Sequence, residues 1–536
     1  MHLVEELDNS THGRPRHPPA TYAELLAAAT RDHAAAVAIA APGLADLTYG
    51  ELGRRLEGAA AALAAAGYAR GTRIGVALPD GPRFALAMLA VASVATCAPL
   101  NDRLDEGSLR RLLLAMRVDA LIVPDREDSA ASRAGRAAGI ALITLRDGAA
   151  GPLGELEFVF ESARAPAAPE PPHGTDIAFL MHTSGTTGTP KVVPWEQWRV
   201  AEVARNRVEL ARLDRTDRCL IGLPVYSSAG IRRTLAGLLC GGSIVCAGAA
   251  SADETIGLLQ RMAPTHYFAP PALHMALIDA FGRCEPPPRH CLKAIWSGTT
   301  GLPAAVRDRL EALFSVVVLE GYGMTESGSI AETPFPPERA PAGSVGRATN
   351  IDIAIADDAG TLLGPGETGE ILVRGPEVFA GYEGDEAANR AAFRDGWLRT
   401  GDAGRIDLDG FVFLAGRLND IVSRGGTKIA PAEIEAALAL HAQVIEAAAF
   451  GVAHPTLGQD LAAAVKLRES VTEDELLRFL GARLAGFKLP TRIITLPDIP
   501  RGASGKVDRA ALADLAVRAR QTRFEAPVGP AECGIA

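Results

Sequence analysis

From Thr21 to Ala331, short apolar runs bounded by Gly, Pro and polar residues alternate with longer segments whose apolar side chains recur on one helical face. Residues 21–29 put Tyr22, Leu25 and Leu26 on one side of a helix, and residues 36–41 read as a strand. Thr48-Tyr49 opens a helix ending near Gly67, and residues 73–78 return to a strand ahead of the turn Pro79-Asp80-Gly81-Pro82. Strand-like runs at 120–123 and 140–144 flank a helical 132–138. After a Pro/Ala-rich connection at 163–175, strands are expected at 219–223, 243–247, 266–269, 294–297 and 316–319. Such alternation is satisfied by parallel sheets covered with helices. Phe84–Leu100 is the nearest approach to a membrane segment, but Ser93, Thr96, Cys97 and its many alanines leave it short of the roughly 20 strongly apolar residues a span requires, so a buried core helix is expected.

The pattern changes between Gly346 and Leu414 to short segments with tight turns, at 351–355, 370–373 and 411–414, which suggests a small β-rich subdomain. A last compact region starts near Gly416. Pro431 marks a helix start with Glu433 and Glu435 in the first turn, and Thr472 and Glu475 form a capping box ahead of Leu476, Leu477, Leu480 and Leu484. Strands are expected at 444–450, 462–467 and 492–496. A chain of 536 residues exceeds what one core supports. The expected division is a loose arm at 1–18, a large α/β domain of helix-covered sheets plus the β-rich subdomain at 19–416, a small α/β domain at 421–520 and a flexible tail at 521–536, with no internal repeat.

A net charge of −10 with no cluster of Lys and Arg argues against nucleic acid as partner. The seven cysteines (97, 219, 240, 246, 284, 291 and 533) are scattered and include no C-x-x-C, the usage of free thiols in a reducing compartment and not of a disulfide frame or zinc site. With a polar, acidic start at Met1–Glu6 and no membrane span, a cytoplasmic location is expected.

The chemistry centres on Thr183-Ser184-Gly185-Thr186-Thr187-Gly188-Thr189-Pro190-Lys191, which sets five hydroxyls and two glycines between an apolar run and a lysine. Glycine allows backbone N–H groups to converge and the hydroxyls add donors, so the natural guest is a polyphosphate. Pro190 before the lysine and Val192 after it separate this stretch from the common G-x-x-x-x-G-K-[ST] loop, and in isolation it also suits a surface turn. In Gly321-Tyr322-Gly323-Met324-Thr325-Glu326, flanking glycines let Tyr322 lie against a flat base, Thr325 offers a hydroxyl to phosphate, and Glu326 is a hard oxygen ligand for Mg²⁺; alone, the hexapeptide is a turn with a partly buried tyrosine. Thr400-Gly401-Asp402 presents a carboxylate able to accept two ribose hydroxyls, although alone it is a turn signal. Gly425-Gly426 can pass a thin pantetheine arm, or simply turn the chain into the next helix.

Taken together and in this order, these motifs resemble the acyl-adenylate-forming (AMP-binding) superfamily of acyl-CoA synthetases, free-standing adenylation domains and luciferases, over about residues 20–515. The resemblance implies a mobile C-terminal lid and a hinge at 417–420, with Asn419 at the pivot where relatives usually carry Asp or Lys. It implies that Arg417 steadies ribose or phosphate, and that Lys506, in Pro500-Arg501-Gly502-Ala503-Ser504-Gly505-Lys506, stabilises charge during adenylation. Gly298, Thr299 and Thr300 lie where the family borders adenine and acyl group with smaller residues. Tyr226, Ser227, Gly230, Thr300 and Gly323 are the implied acyl-pocket residues. Ser227 replaces a histidine that often gates the thiol tunnel, so either Tyr226 substitutes or the gate is absent. No Asp stands between Pro224 and Leu235 to hold an amino-acid ammonium, while Arg232 and Arg233 are present, which favours a plain or polar carboxylic acid.

The expected activity is ATP-dependent conversion of a carboxylic acid to an acyl-adenylate, with Mg²⁺, followed by thioester formation with CoA across the Gly425-Gly426 face. The alternatives are loading of a carrier-protein phosphopantetheine, a luciferase-like oxygenase, and a non-catalytic nucleotide-binding relative; retention of Lys506, Glu326 and Asp402 argues against the last.

Overall fold

The computed structural model describes residues 20–125, 128–146, 153–162, 164–168, 170–183, 190–336, 338–501 and 507–524. The expected arm at 1–18, six residues of the phosphate loop and Lys506 lie outside the described residues. The chain divides into two compact units, Met1–Thr400 with Arg405–Phe413, and Gly401–Gly404 with Leu414–Ala536.

The first unit is built on two large sheets. One runs Glu157–Phe160, Ala141–Arg146, Ala120–Pro124, Arg73–Val76, Thr96–Pro99, Ile177–Thr183 and Lys191–Glu196, parallel inside and antiparallel at both edges. The other runs Arg347–Ala348, Gly328–Glu332, Val317–Met324, Ala294–Ser297, His266–Ala269, Arg218–Ile221, Ser243–Cys246, Val37–Ala40 and Leu47–Thr48, with a parallel centre. Helices are set by local chemistry: Thr21 with Glu24 and Thr48 with Glu51 close complete capping boxes, and each box satisfies two otherwise orphaned N–H groups. Behind the second sheet, Leu277, Phe281, Leu310 and Phe314 pack on Leu220, Val245, Tyr267, Ile295 and Val318 to form one core.

Phe84–Leu100 is not one helix. Pro82–Ala92 is helical and buried from Phe84 onward, and Thr96–Pro99 is a central strand. Ser93 Oγ donates to Leu89 O at 2.7 Å, and β-branched Val94 and Thr96 follow, so the chain leaves the helix where an open slot between Arg73–Val76 and Ile177–Thr183 offers a ladder. A smaller sheet, Asp352–Ala356, Gly369–Arg374, Trp397–Ile406 and Phe393–Arg394, makes up the β-rich part. Thr400-Gly401-Asp402 accordingly lies in a strand and not in a turn.

The second unit pairs the hairpin Val422–Arg424/Thr427–Ile429 with Gly458–Leu467, which is flanked by Val444–His454 and Arg492–Thr495. Period-two alternation sends Leu461, Ala463 and Val465 to one face, under Ile434, Leu438, Leu476 and Leu480. Ala462 and Ala464 go to the other, under Leu512 and Ala516. Only half of the expected capping box forms: Thr472 Oγ1 accepts Glu475 N–H at 3.3 Å, while Glu473 accepts Ile493 N–H at 2.8 Å. Glu435 lies past the first turn and accepts the Ala449 N–H at 2.9 Å instead of serving the helix end. Helix Arg509–Phe524 runs through 521–524, where a flexible tail is expected.

Candidate active site

Ile177–Thr183 and Lys191–Glu196 form an antiparallel pair in which Thr183 faces Lys191, the two ends of the phosphate-loop motif. Ser184, Gly185, Thr186, Thr187 and Gly188 lie outside the described residues. Lys191 Nζ sits 4.8 Å from the centroid of the Tyr382 ring, a cation–π contact. The Tyr382 hydroxyl in turn donates to Glu326 Oε1 at 2.9 Å. The strand after the loop was not foreseen, although Val192, Val193 and Trp195 carry its signal.

The second motif continues Val317–Met324, which pairs with Gly328–Glu332 through an irregularity between Tyr322 and Gly323. A Cβ on Gly323 would lie 2.2 Å from Gly328 O, so this glycine is required by the close approach of two backbones. Tyr322 is buried, and Gly321 backs onto the loop of Gly298. The turn beyond is pinned from the phosphate-loop side. Trp195 Nε1 donates to Thr325 O at 2.9 Å, and Arg199 Nη2 donates to Glu326 O at 2.7 Å. The Thr325 hydroxyl is 3.3 Å from Ser228 Oγ. Lys191, Thr325, Glu326 and Tyr382 are thus gathered by one strand, one helix, one turn and the connection that carries Tyr382, all in the first unit.

The loop at Gly298–Thr300, expected to border adenine, carries strain. Thr299, exposed and β-branched, has φ +75°, in the left-handed region. On the adjacent strand Glu320 is buried and accepts the Leu302 N–H at 3.3 Å; burial pushes its carboxyl up to about 7.

Several expected acyl-pocket residues have structural tasks. Ser227 caps helix Ser228–Leu239, accepting Gly230 N–H at 3.0 Å and donating to Pro224 O at 2.7 Å. A Cβ on Gly230 would stand 2.1 Å from Pro224 O. Tyr226 packs edge-on to Phe84 with centroids 6.0 Å apart, and Thr300 is exposed. A mostly apolar cavity of about 200 Å³ at the ends of strands Arg218–Ile221, Ser243–Cys246 and His266–Ala269 is lined by Leu223, Ala249, Tyr267 and Leu273 and by none of the expected site residues.

Sequence reasoning missed the buried ionic cluster behind Glu326. Arg199 Nε donates to Glu377 O at 2.6 Å, Arg207 pairs with Glu332 and Ser329, and Asn206 donates to the buried Glu377 carboxylate. Burial pushes the guanidinium of Arg199 down to about 10 and that of Arg207 to about 9. The spacing 199, 206, 207 on one helical face was the available signal.

In the second unit, Arg417 Nε holds the largely buried Asp402 Oδ1 at 2.8 Å, the strand Val412–Arg417 pairing with the one that carries Asp402. Asn419 lies exposed in the short turn Leu418–Asp420. Gly425 and Gly426, at φ +56° and +88°, are the two central residues of a hairpin turn that requires positive φ at both, which accounts for the glycine pair structurally. Lys506 lies outside the described residues, beyond Arg501, which pairs with Glu446. Among the described residues no three His, Cys, Asp or Glu side chains gather around a metal position, and no helix is long and apolar enough to cross a membrane.

The AMP-binding enzyme family matches residues 25–383, and the AMP-binding enzyme C-terminal domain matches residues 433–506. An oxalate–CoA ligase of Arabidopsis thaliana is 32% identical over 89% of this chain and 95% of its own length. A sulfoacetate–CoA ligase of Cupriavidus necator is 34% identical over 87% and 92%, and an indoleacetate–CoA ligase of Aromatoleum aromaticum is 32% identical over 88% and 94%. The crystal structure of ATP-bound MatB from Rhodopseudomonas palustris superposes with a TM-score of 0.80 at 26% identity, over 92% of this chain and 98% of that one. The chain belongs to the AMP-binding enzyme family. Within that family it is an ATP-using acid–CoA ligase of the AMP-forming type.

Proposed function

We propose that the chain condenses a small or polar carboxylic acid with ATP to an acyl-adenylate, releasing pyrophosphate, and then transfers the acyl group to the thiol of CoA. The observation that carries this reading is the chain of contacts Lys191–Tyr382–Glu326, which links the phosphate-loop strand pair to the Thr325-Glu326 turn. A carboxylate attacking an α-phosphate brings two anions together, so the site must supply fixed positive charge and donors where that charge concentrates. Lys191 and the hydroxyl-rich motif at 183–189 hold the β- and γ-phosphates, Thr325 donates its hydroxyl to phosphate, and Tyr322 and Gly298 border the base. Asp402 accepts the ribose hydroxyls with Arg417 steadying it, and Lys506 binds the carboxylate and α-phosphate. Turning about Asn419 then withdraws Lys506 and brings the Gly425-Gly426 face to the acyl-adenylate for thiol attack.

The donor set fits Mg²⁺. Tyr382 occupies one lone pair of Glu326 Oε1 and leaves a hard anionic oxygen on a cation that characteristically takes one or two carboxylates and completes its shell with phosphate and water. When bound, the ion neutralises phosphate charge; orientation of the carboxylate that meets it falls to Tyr382.

The test is pyrophosphate release from the full chain with ATP, Mg²⁺ and a panel of acids, with and without CoA, and thioester detection by mass spectrometry. Acid-dependent release accelerated by CoA, with acyl-CoA formed, is the expected result. Release indifferent to CoA would transfer the second step to a carrier protein, and no release with any acid would overturn the reading. The relatives named above divide over the acid: oxalate and sulfoacetate carry a second anionic group, whereas indoleacetate has none.

A further inference from the structure

Arg232 and Arg233 follow the capped first turn of helix Ser228–Leu239, and Arg233 packs over Phe268 and Trp296 of the neighbouring strands His266–Ala269 and Ala294–Ser297. Parallel strands bind ligands beyond their carboxyl ends. The Arg233 guanidinium carbon lies 4.5 Å from the Phe268 centroid and 4.9 Å from that of Trp296. Its only carboxylate neighbour among the described residues is Glu332, at 3.9 Å and already engaged by Arg207. Among the described residues, Arg233 Nη1 is buried and has no hydrogen-bond partner, and the same holds for the hydroxyl of Ser297, the residue after Trp296. Arg232 Nη1 makes one long contact, 3.4 Å to Met324 O, beside Thr325.

Around these arginines stand Glu196, Glu326, Glu332 and Glu377, yet among the described residues only Glu332 lies within ion-pair distance of Arg207 or Arg233, and Arg199 meets Glu326 and Glu377 through their backbone carbonyls. Burial, and then repulsion from Arg207 and Arg232, holds the Arg233 guanidinium well below its ordinary range. Like charges out of water with a donor unspent are costly unless an anion completes the set. A planar guanidinium fixed on aromatic faces presents a rigid fork suited to a carboxylate or sulfonate. Phosphate of ATP does not meet this need on the expected assignment, because the phosphate groups belong to the loop at 183–191 and to Thr325.

We propose that Arg233, assisted by Arg232 and the Ser297 hydroxyl, forms a subsite for a second anionic group, carboxylate or sulfonate, on the acid that the enzyme activates. This rests on the adenylation reading above.

The experiment compares kcat/KM for pyrophosphate release by the full chain with oxalate, malonate and sulfoacetate against acetate and propionate. A site built to pair a polar group rejects the analogue lacking it, so a preference of about 10²-fold or more for the doubly anionic acids is expected. Sulfoacetate ahead of malonate assigns the subsite to sulfonate, and the reverse order assigns it to carboxylate. Arg233→Met is expected to collapse the preference ratio by about 10-fold or more. If that variant loses cooperative unfolding, Arg233→Lys and Ser297→Ala report instead, each lowering the ratio, with the lysine retaining part of it. Equal use of singly and doubly anionic acids, or a ratio untouched in folded variants, would overturn the subsite while leaving adenylation in place. Failure of every acid to release pyrophosphate would overturn both.

Discussion

The Tyr382 hydroxyl donates to Glu326 Oε1 at 2.9 Å while the face of the same ring receives Lys191 Nζ at 4.8 Å. One aromatic side chain thereby orients the carboxylate and the cation expected to meet the triphosphate. Tyr382→Phe retains the ring and deletes the donor. A hydrogen bond to a charged group contributes about 1.5–3 kcal/mol, so kcat/KM for ATP is expected to fall about 10- to 100-fold. Steady-state pyrophosphate release at varied ATP measures it, and an unchanged value would remove Tyr382 from the site.

Glu320 gives stability a pH dependence. Its carboxyl is raised from 4.5 to about 7 by burial, so between these values the folded chain holds a proton that the unfolded chain has released. The contribution is therefore fully present below about 4.5 and is lost as pH rises toward about 7, on the order of 3 kcal/mol in all. Glu320→Gln keeps an oxygen for the Leu302 N–H without the charge. Relative to the native chain it is expected to be near neutral at pH 4 and more stable above pH 7 by that order, read from urea titrations across the range.

Thr299 holds an exposed, β-branched side chain at φ +75°. Such strain costs about 1–3 kcal/mol, part of which a glycine returns through unfolded-state entropy. Thr299→Gly is expected to raise stability by about 1 kcal/mol and to raise KM for ATP, because a loosened loop borders the base less rigidly. A stability loss in urea unfolding would contradict the strain.

Gly323→Ala is expected to act on activity before stability. The new Cβ would meet Gly328 O at 2.2 Å, so the two strands must part beside Thr325 and Glu326. A displacement of about 1 Å at such a site costs about 10²-fold in rate. A variant with native-like circular dichroism and near-normal turnover would show that the strand spacing does not position the turn.

The parallel sheets were legible because each strand's burial on both faces leaves a continuous apolar run between turn residues, as at 120–124, 243–246 and 294–297. The switch from helix to strand at Ser93–Thr96 was not, since an unbroken apolar run has no period and only the slot in the sheet decides it. Local spacing also misled at Glu435, whose partners Ala449 and Arg509 are remote in the chain. Tyr322, Thr325, Glu326, Asp402 and Arg417 were marked by motif, yet what holds Thr325 and Glu326 was hidden: Trp195, Arg199 and Tyr382 reach those two across 56 to 130 positions. Glycines told half of their story, for Gly230, Gly323 and the pair Gly425-Gly426 each answer a backbone demand that no motif states.

The buried arginines also bear on how the chain is made. Arg199 finds its carbonyl partner at Glu377, 178 residues later, and Arg207 finds Glu332 after 125. At synthesis rates of about 5–20 residues per second, the helix bearing these cations waits on the order of ten to forty seconds for its acceptors to leave the ribosome. Docking it earlier would bury unpaired charge, at a cost of several kcal/mol. The first unit is therefore expected to close only once Glu332 and Glu377 have emerged, and a nascent chain stopped short of Glu377 to keep that helix undocked.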